Sequence, residues 1–116
     1  EQLNWVKENG GVVHTGALGS YLTDRKNPPP NISDFVDHID YMVEKIGIDH
    51  VGISSDFDGG GGIVGWKDAS ETMNVTKELR ERGYNNDEIA KIWGGNLLRV
   101  LDEVQDIAAK LQSGDL

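Results

Sequence analysis

The sequence predicts an α/β fold with parallel strands, on three observations. First, two short runs rich in β-branched residues, at positions 11–15 and 50–55, are typical of buried strands. Second, apolar residues recur every three or four positions in the segments around these runs, which indicates amphipathic helices. Third, the two kinds of segment alternate along the chain, and this order favours parallel strands joined by crossover helices.

The first thirty residues predict a helix, a strand and a loop. Apolar residues within positions 3–6 indicate a short helix, which Gly10 and Gly11 end because glycine readily adopts the left-handed conformation of a helix cap. The strand at 11–15 follows directly. We expect a loop over 16–30, since its last three residues are prolines, which continue neither a helix nor a strand ladder.

The clearest element is a helix over residues 32–46. Asn31 or Ser33 opens it as an N-cap, and Gly47 closes it. Six apolar residues share one of its faces, with acidic residues between them: Ile32, Phe35, Ile39, Met42, Val43 and Ile46. The second strand comes next and ends at Asp56, ahead of a glycine run that predicts neither helix nor strand.

Three further segments predict helices. The first covers residues 69–82 and stops at Gly83. The second begins at Asn85, with Glu88 three residues later as in a capping box. Two glycines then interrupt the helical pattern, and a long amphipathic helix follows over residues 97–111.

Two buried strands are too few for a complete sheet of this kind. Buried parallel strands need neighbours on both edges and further layers on both faces. A (β/α) barrel takes about 250 residues, whereas this chain has 116. We therefore expect the chain to be part of a larger structure, of which it supplies about two repeats.

The amino-acid composition argues against several classes of function. Acidic residues outnumber basic residues by 20 to 11, and the resulting formal net charge of −9 argues against binding to nucleic-acid phosphates. The sequence contains no cysteine, which excludes disulfides, thiolate catalysis and cysteine-ligated zinc within it. No apolar run approaches the roughly 20 residues that a membrane span needs.

Asp56 is the strongest candidate for chemistry. It follows the second strand, and in barrel enzymes the carboxyl ends of the strands supply the catalytic groups. Its carboxylate could accept a proton from a metal-bound water or hold a substrate ammonium group, and the glycines behind it would let the backbone approach a ligand. The alternative is a turn in which the Asp56 side chain bonds nearby backbone. Asp58 is a weaker candidate, interpreted as a loop cap.

The histidines do not assemble a metal site. His38 lies near the polar side of its helix and is expected at the surface, while His50 precedes its strand and so lies at the wrong end for a barrel site. His14 could reach the barrel mouth, although a lone histidine there is more often a packing group. Tyr21, in the loop after the first strand, could donate its hydroxyl to a substrate carboxylate. We predict no metal ligand within this chain.

Four ordered motifs resemble the renal (membrane) dipeptidase family. The first is Asp-His-Ile-Asp at 37–40, and the second is the strand and turn at 51–59, which ends in Ser-Asp-Phe-Asp-Gly. The third is Leu-Arg-Glu-Arg-Gly-Tyr at 79–84, and the fourth is Gly-Gly-Asn-Leu-Leu-Arg-Val at 94–100. The resemblance covers essentially the whole chain.

The resemblance implies a zinc-dependent dipeptidase on a (β/α)8 TIM barrel, with two metal ions bridged by a carboxylate and a water. Residues 1–116 would be the C-terminal part of that single domain, about the last two βα units plus the C-terminal helices. The metal ligands would precede Glu1, so the expected partners are the remainder of the barrel and a dipeptide substrate; a homodimer is compatible. Asp56 matches the family aspartate that contacts substrate and the bridging water. Tyr21 falls near a family tyrosine that binds the substrate carboxylate.

Other functions remain open on the sequence. The chain could belong to a non-catalytic relative or form an α/β interaction module, whose apolar helix faces would need a partner subunit. Within the enzyme class, the alternative is an amidohydrolase-type barrel acting on another amide or a lactone. The isolated chain is expected to lack dipeptidase activity, because the metal ligands implied by the resemblance lie outside it.

Overall fold

Two parallel strands organise the fold and carry helices on one of their faces. The computed structural model describes residues 1–115, and within them β1 (Val13–Gly16) pairs with β2 (Val51–Ser54). The register places Val13 opposite Val51 and continues to the ends of both strands, so both carboxyl ends lie at the same edge. The α/β class and the parallel pairing predicted from the alternation of elements are confirmed.

Two short helices flank β1. α1 (Gln2–Glu8) ends at Asn9, where the sequence predicts a stop. α2 (Gly19–Leu22) forms inside the segment that the sequence predicts to be a loop, and it buries Leu22. The expectation of a continuous loop over 16–30 is therefore wrong. Four residues are too few to show an apolar period, so the pattern alone does not reveal this helix.

Helix α3 (Ile32–Ile46) forms over the residues that the sequence predicts. The side chain of Asn31 accepts hydrogen bonds from the amides of Ser33 and Asp34, and the Asp34 carboxylate accepts one from the amide of Asn31. This capping box satisfies amides that the first turn leaves unpaired. The helix ends at Gly47, whose φ of 92° suits glycine. One face is buried against the strands: Phe35, Val36, Ile39, Met42 and Ile46.

The three C-terminal helices also agree with the predicted segments. They are α4 (Thr72–Glu81), α5 (Asn86–Ala90) and α6 (Asn96–Ser113). The predicted capping box at Asn85 opens α5. A π-helical turn (Lys91–Gly95) with one non-helical glycine joins α5 to α6, which is where the sequence predicts an interruption.

An aromatic cluster holds the loop after β2 against the helices. The ring of Trp66 lies 5.4 Å from the ring of Phe35, 5.4 Å from that of Phe57 and 6.0 Å from that of Trp93, measured between centroids. Two of these contacts are edge-on, a favourable geometry for aromatic pairs. Because Phe57 and Trp66 both belong to this loop, their packing fixes its path above β2.

Arg82 ties α3 to the end of α4. Its guanidinium donates hydrogen bonds to Asp37 at 2.5 Å, to Asp40 at 2.7 Å and to Glu78 at 3.0 Å. Burial opposes the charged form, but the three carboxylates outweigh it and raise the pKa of Arg82 above its ordinary value. Tyr84 donates to the other oxygen of Asp40 at 2.6 Å, and burial together with that carboxylate raises the pKa of Tyr84. The first and third family motifs thus join two helices.

Asn96 fixes the start of α6 beneath the amino ends of the strands. Its side chain is 3% exposed, and its amide nitrogen donates to the carbonyls of Ile48 at 2.7 Å and Val51 at 2.9 Å. One turn later, Arg99 donates to the carbonyl of Gly10, which precedes β1, at 3.0 Å. The fourth family motif therefore anchors a helix at the end of the sheet opposite Asp56.

The apolar stripe predicted on the last helix exists, but it is exposed. The exposed fraction runs from 48% at Leu101 to 63% at Leu111, and the other large apolar side chains exposed along α6 are Leu97, Leu98, Val104 and Ile107. Within residues 1–115, no helix is both long and apolar enough to cross a membrane.

The buried position of Asn96 leads to a stability prediction. Asn96→Ala should cost about 2–3 kcal/mol of unfolding free energy, because it leaves two carbonyls without their donor. Asn74→Ala is the matched control, since Asn74 is exposed and donates one hydrogen bond, to the carbonyl of Gly65. We expect it to cost less than about 1 kcal/mol. Urea denaturation measures both changes, and equal costs would contradict the anchoring role.

Candidate active site

The carboxyl ends of β1 and β2 are joined by main-chain hydrogen bonds. The amide of Ala17 donates to the carbonyl of Ser54 at 3.0 Å, and the amide of Gly62 donates to the carbonyl of Ala17 at 3.0 Å. Ala17 is fully buried at this junction. The loops that follow the two strands are therefore held side by side at one edge of the sheet.

Asp56 lies in the second of these loops, two residues after the end of β2, and its side chain is exposed. Its φ of 54° is in the left-handed region, which aspartate tolerates better than most residues. Its carbonyl oxygen accepts hydrogen bonds from the amides of Gly59 at 3.0 Å and Gly61 at 2.8 Å. In the described part of the chain, the turn is closed through the Asp56 carbonyl, which leaves the carboxylate available to a ligand.

The glycines after Asp56 relieve close contacts, with the backbone at Gly61 and with the Asp56 side chain at Gly59. A Cβ atom at Gly61 would lie 2.0 Å from the carbonyl oxygen of Ser55 and 2.7 Å from that of Asp56. A Cβ atom at Gly59 would lie 2.5 Å from Oδ1 of Asp56. The sequence suggests that these glycines make room for a ligand. In the structure they make room for the turn that carries Asp56.

Tyr21 lies in α2, at the same edge of the sheet as Asp56, and its side chain is 78% exposed. An open cleft of about 480 Å³ adjoins this helix, lined by residues of α2 and of the segment after it. Arg25 borders the cleft but is engaged with the protein, since it donates to Asp34 at 2.7 Å and to the carbonyl of Pro28 at 2.9 Å. Tyr21 is thus one of several exposed hydrogen-bonding groups in the segment after β1, together with Ser20, Asp24 and Lys26.

The three histidines occupy three different environments. His50 precedes β2 and places Nδ1 2.8 Å from the carbonyl oxygen of Gly11, so it lies at the amino end of the sheet as predicted. His38 is half-buried, with Nε2 3.0 Å from the carbonyl oxygen of Leu22, so the expectation of a simple surface residue is wrong. His14 is exposed on β1.

The described residues do not form a complete metal centre. Within residues 1–115, no group of three or more His, Cys, Asp or Glu side chains converges as a metal site requires. His38 and His50 face backbone carbonyls in separate parts of the fold. A metal site at this edge of the sheet would need ligands beyond those that residues 1–115 bring together.

Comparison with known proteins gives the family. The sequence profile of the membrane dipeptidases, peptidase family M19, matches residues 1–115. The chain belongs to the membrane dipeptidase family. The resemblance carried by the four motifs is thereby confirmed.

Relatives and solved structures of this family agree with that result. Dipeptidase ataJ of Aspergillus terreus is 40% identical over 97% of this chain, which spans 28% of ataJ. The crystal structure of the probable dipeptidase PvdM from Pseudomonas aeruginosa is 34% identical, with a TM-score of 0.87, over 90% of this chain and 40% of PvdM. A metallopeptidase from Rhodobacter sphaeroides, solved with a phosphinate mimic of L-Ala-D-Ala, is 27% identical, with a TM-score of 0.77, over 87% of this chain and 29% of that chain.

This membrane dipeptidase chain is short beside these relatives. It spans about a quarter of the curated relatives that it matches, namely 26% of dipeptidase aclJ of Aspergillus oryzae and 28% of ataJ.

The contacts of Gly61 lead to a prediction about the loop that carries Asp56. Gly61→Ala should lower the unfolding free energy by about 1–3 kcal/mol, because its Cβ atom meets main-chain oxygen atoms that cannot rotate away. Gly16→Ala is the matched control, since a Cβ atom there meets no atom within 4 Å in this structure. Chemical denaturation of both variants measures the difference. A Gly61→Ala protein as stable as Gly16→Ala would show that the turn at Asp56 is not as described.

Proposed function

We propose that this chain supplies the last two βα units and the C-terminal helices of a (β/α)8 barrel that forms a single domain. Three observations support the proposal: β1 and β2 are parallel, helices pack on one of their faces, and the chain covers about a quarter of its dipeptidase relatives. Barrel strands have this arrangement, with helices outside and an inner face toward the lumen. The open face of the sheet would then line the barrel interior.

We further propose that the parent protein hydrolyses dipeptides with zinc as its cofactor. AclJ and ataJ are named dipeptidases, PvdM is described as a probable dipeptidase, and the Rhodobacter sphaeroides metallopeptidase was solved with a dipeptide mimic. The two zinc ions implied by the family would be held by residues outside this chain, since those described here do not fit a metal centre. The contribution of this chain would therefore be to bind and orient the substrate.

The observation that carries the proposal is the exposed carboxylate of Asp56 at the carboxyl edge of the sheet. Within residues 1–115 this carboxylate takes part in no ion pair. The turn through Gly59 and Gly61 fixes the backbone that carries it. A carboxylate on a fixed backbone at the mouth of a barrel suits the ammonium group of a dipeptide, because a charge-assisted hydrogen bond there positions the adjacent peptide bond.

The hydroxyl of Tyr21 suits the carboxylate at the other end of the dipeptide. Tyr21 lies in α2, which follows the neighbouring strand β1, and its phenol is exposed. A dipeptide carries a carboxylate about 7 Å from its ammonium group when extended. We propose that the Tyr21 hydroxyl donates a hydrogen bond to that carboxylate.

The exposed stripe on α6 favours an interaction surface as the second candidate function. A contiguous apolar face needs a cover in a stable protein, either from the remainder of the barrel or from a second copy in a homodimer. A non-catalytic relative would use such a surface without hydrolysis. The activity assays below separate this candidate from the enzyme.

The role of Asp56 leads to an activity prediction for the full-length, metal-loaded protein. Asp56→Asn should lower kcat/KM for Ala-Ala about 100-fold, because the amide removes the charge that holds the ammonium group. Asparagine also accepts positive φ, so the turn should persist. Asp58→Asn is the matched control, since Asp58 has a φ of 65° and is also exposed. It should stay within about threefold of wild type. Wild-type turnover by Asp56→Asn would remove the proposed role.

The role of Tyr21 leads to a different kinetic result. Tyr21→Phe should raise KM about tenfold with little change in kcat, because one hydrogen bond to the substrate carboxylate is lost from ground state and transition state alike. Tyr41→Phe, on the exposed outer face of α3, serves as the control. Equal KM values for the two variants would exclude Tyr21 from the site.

A further inference from the structure

We propose that His14 lines the substrate pocket and selects dipeptides whose inward-pointing side chain carries an oxygen hydrogen-bond acceptor. This inference rests on the proposed dipeptidase function and goes beyond it, because it names a specificity-determining residue and the class of side chain that it prefers. It depends on three features: the face of the sheet on which His14 lies, the lack of bulk on that face, and the position of the imidazole ring over Gly52.

The first feature is the face of the sheet. Successive side chains of a strand alternate between its two faces. Thr15 faces the helices, since its hydroxyl lies 3.9 Å from the sulfur of Met42 in α3. Val51 faces the same way, because it is fully buried in the core. His14 therefore lies on the opposite, open face, together with its register partner Gly52.

The second feature is the composition of the open face. Four residues of the two strands lie on it: His14, Gly16, Gly52 and Ser54. The interior of a (β/α)8 barrel is ordinarily filled by bulky branched side chains such as Val, Ile and Leu. Two glycines, a serine and a histidine leave space there and make the wall polar. Such a wall suits a pocket for a polar ligand better than a packed core.

The third feature is the position of the His14 ring. It lies across the backbone of β2, because a Cβ atom at Gly52 would be 2.5 Å from its Cδ2 atom and 2.6 Å from its Nε2 atom. The missing side chain at Gly52 creates the space for the ring. The imidazole is thus directed toward the strand that ends at Ser54 and leads to Asp56.

The distance from His14 to Asp56 suits the size of the substrate. Gly52 and Asp56 are four residues apart, which is at most about 13 Å, because the strand ends at Ser54 and the backbone turns at Asp56. A dipeptide whose ammonium group is bound at Asp56 extends about 7 Å. A long side chain from one of its residues, directed into the barrel, would span the rest of the distance to His14. His14 would contact the end of that side chain and not the peptide bond.

The chemistry of imidazole indicates which side chains fit. A neutral imidazole donates one hydrogen bond from the ring nitrogen that carries its proton, and an imidazolium donates two. Either form pairs with the carboxylate of Glu or the amide oxygen of Gln. An apolar side chain of similar length, such as that of Met, leaves the ring nitrogen unpaired, and an unpaired polar group in a pocket reduces binding.

The test uses the full-length, metal-loaded protein and compares its activity on matched pairs of dipeptides. The ratio of kcat/KM is measured for Gln-Ala against Met-Ala and for Ala-Gln against Ala-Met. We expect wild type to favour Gln about tenfold at one of the two positions, which corresponds to about 1.4 kcal/mol. His14→Leu should bring this ratio close to one. His38→Gln is the control and should retain the wild-type ratio, because His38 faces the carbonyl of Leu22.

Each outcome of the test bears on a separate claim. A wild-type ratio near one at both positions, or an unchanged ratio in His14→Leu, overturns the role of His14 and leaves the dipeptidase proposal in place. Failure of the wild-type protein to cleave any dipeptide overturns the proposed function itself. If His14→Leu does not fold, as judged by circular dichroism, His14→Asn replaces it. That side chain is polar but too short to lie across Gly52, so its ratio should also fall, and an unchanged ratio overturns the inference.

Discussion

The parallel, in-register pairing of β1 with β2 is the constraint on which the rest of the structure depends. It places both strand ends at one edge, where the bonds between Ala17, Ser54 and Gly62 hold the following loops together. It also sets which side chains face the helices and which face the open side. If the pairing shifted by one residue, His14 would move to the helical face and Thr15 to the open face. The candidate site is therefore a consequence of register.

The four family motifs divide between stability and chemistry. Arg82 with Asp40, and Asn96 with the carbonyls before and within β2, join helices and strands to one another. These residues are polar because they satisfy buried groups, a role that apolar residues cannot fill. The motif around Asp56 differs, since its carboxylate is exposed and its glycines support a left-handed turn. Most of the family motifs thus stabilise the fold, while the proposed activity depends on the motif at the end of β2.

Much of the fold follows from local signals in the sequence. Helix α3 has the predicted bounds because the Asn31 capping box, the apolar stripe and Gly47 all act within a turn of their neighbours. Contacts between residues that are distant in the chain could not be predicted in this way. Arg82 and Asp40 are 42 residues apart, and nothing in either segment reveals their contact. The half-buried state of His38 likewise depends on the carbonyl of Leu22, sixteen residues away in the chain. For the candidate site, strand-end placement identifies Asp56, but the face occupied by His14 requires the register of the pair.

The central claim is that Asp56 faces the lumen of a closed barrel and holds the amino end of a dipeptide. The most direct measurement is a crystal structure of the full-length protein with a phosphinate dipeptide mimic bound. We expect further strands on the outer edges of β1 and β2, and a carboxylate oxygen of Asp56 about 3 Å from the ammonium nitrogen of the ligand. A structure in which Asp56 faces bulk solvent, with the ligand bound elsewhere, would contradict the account.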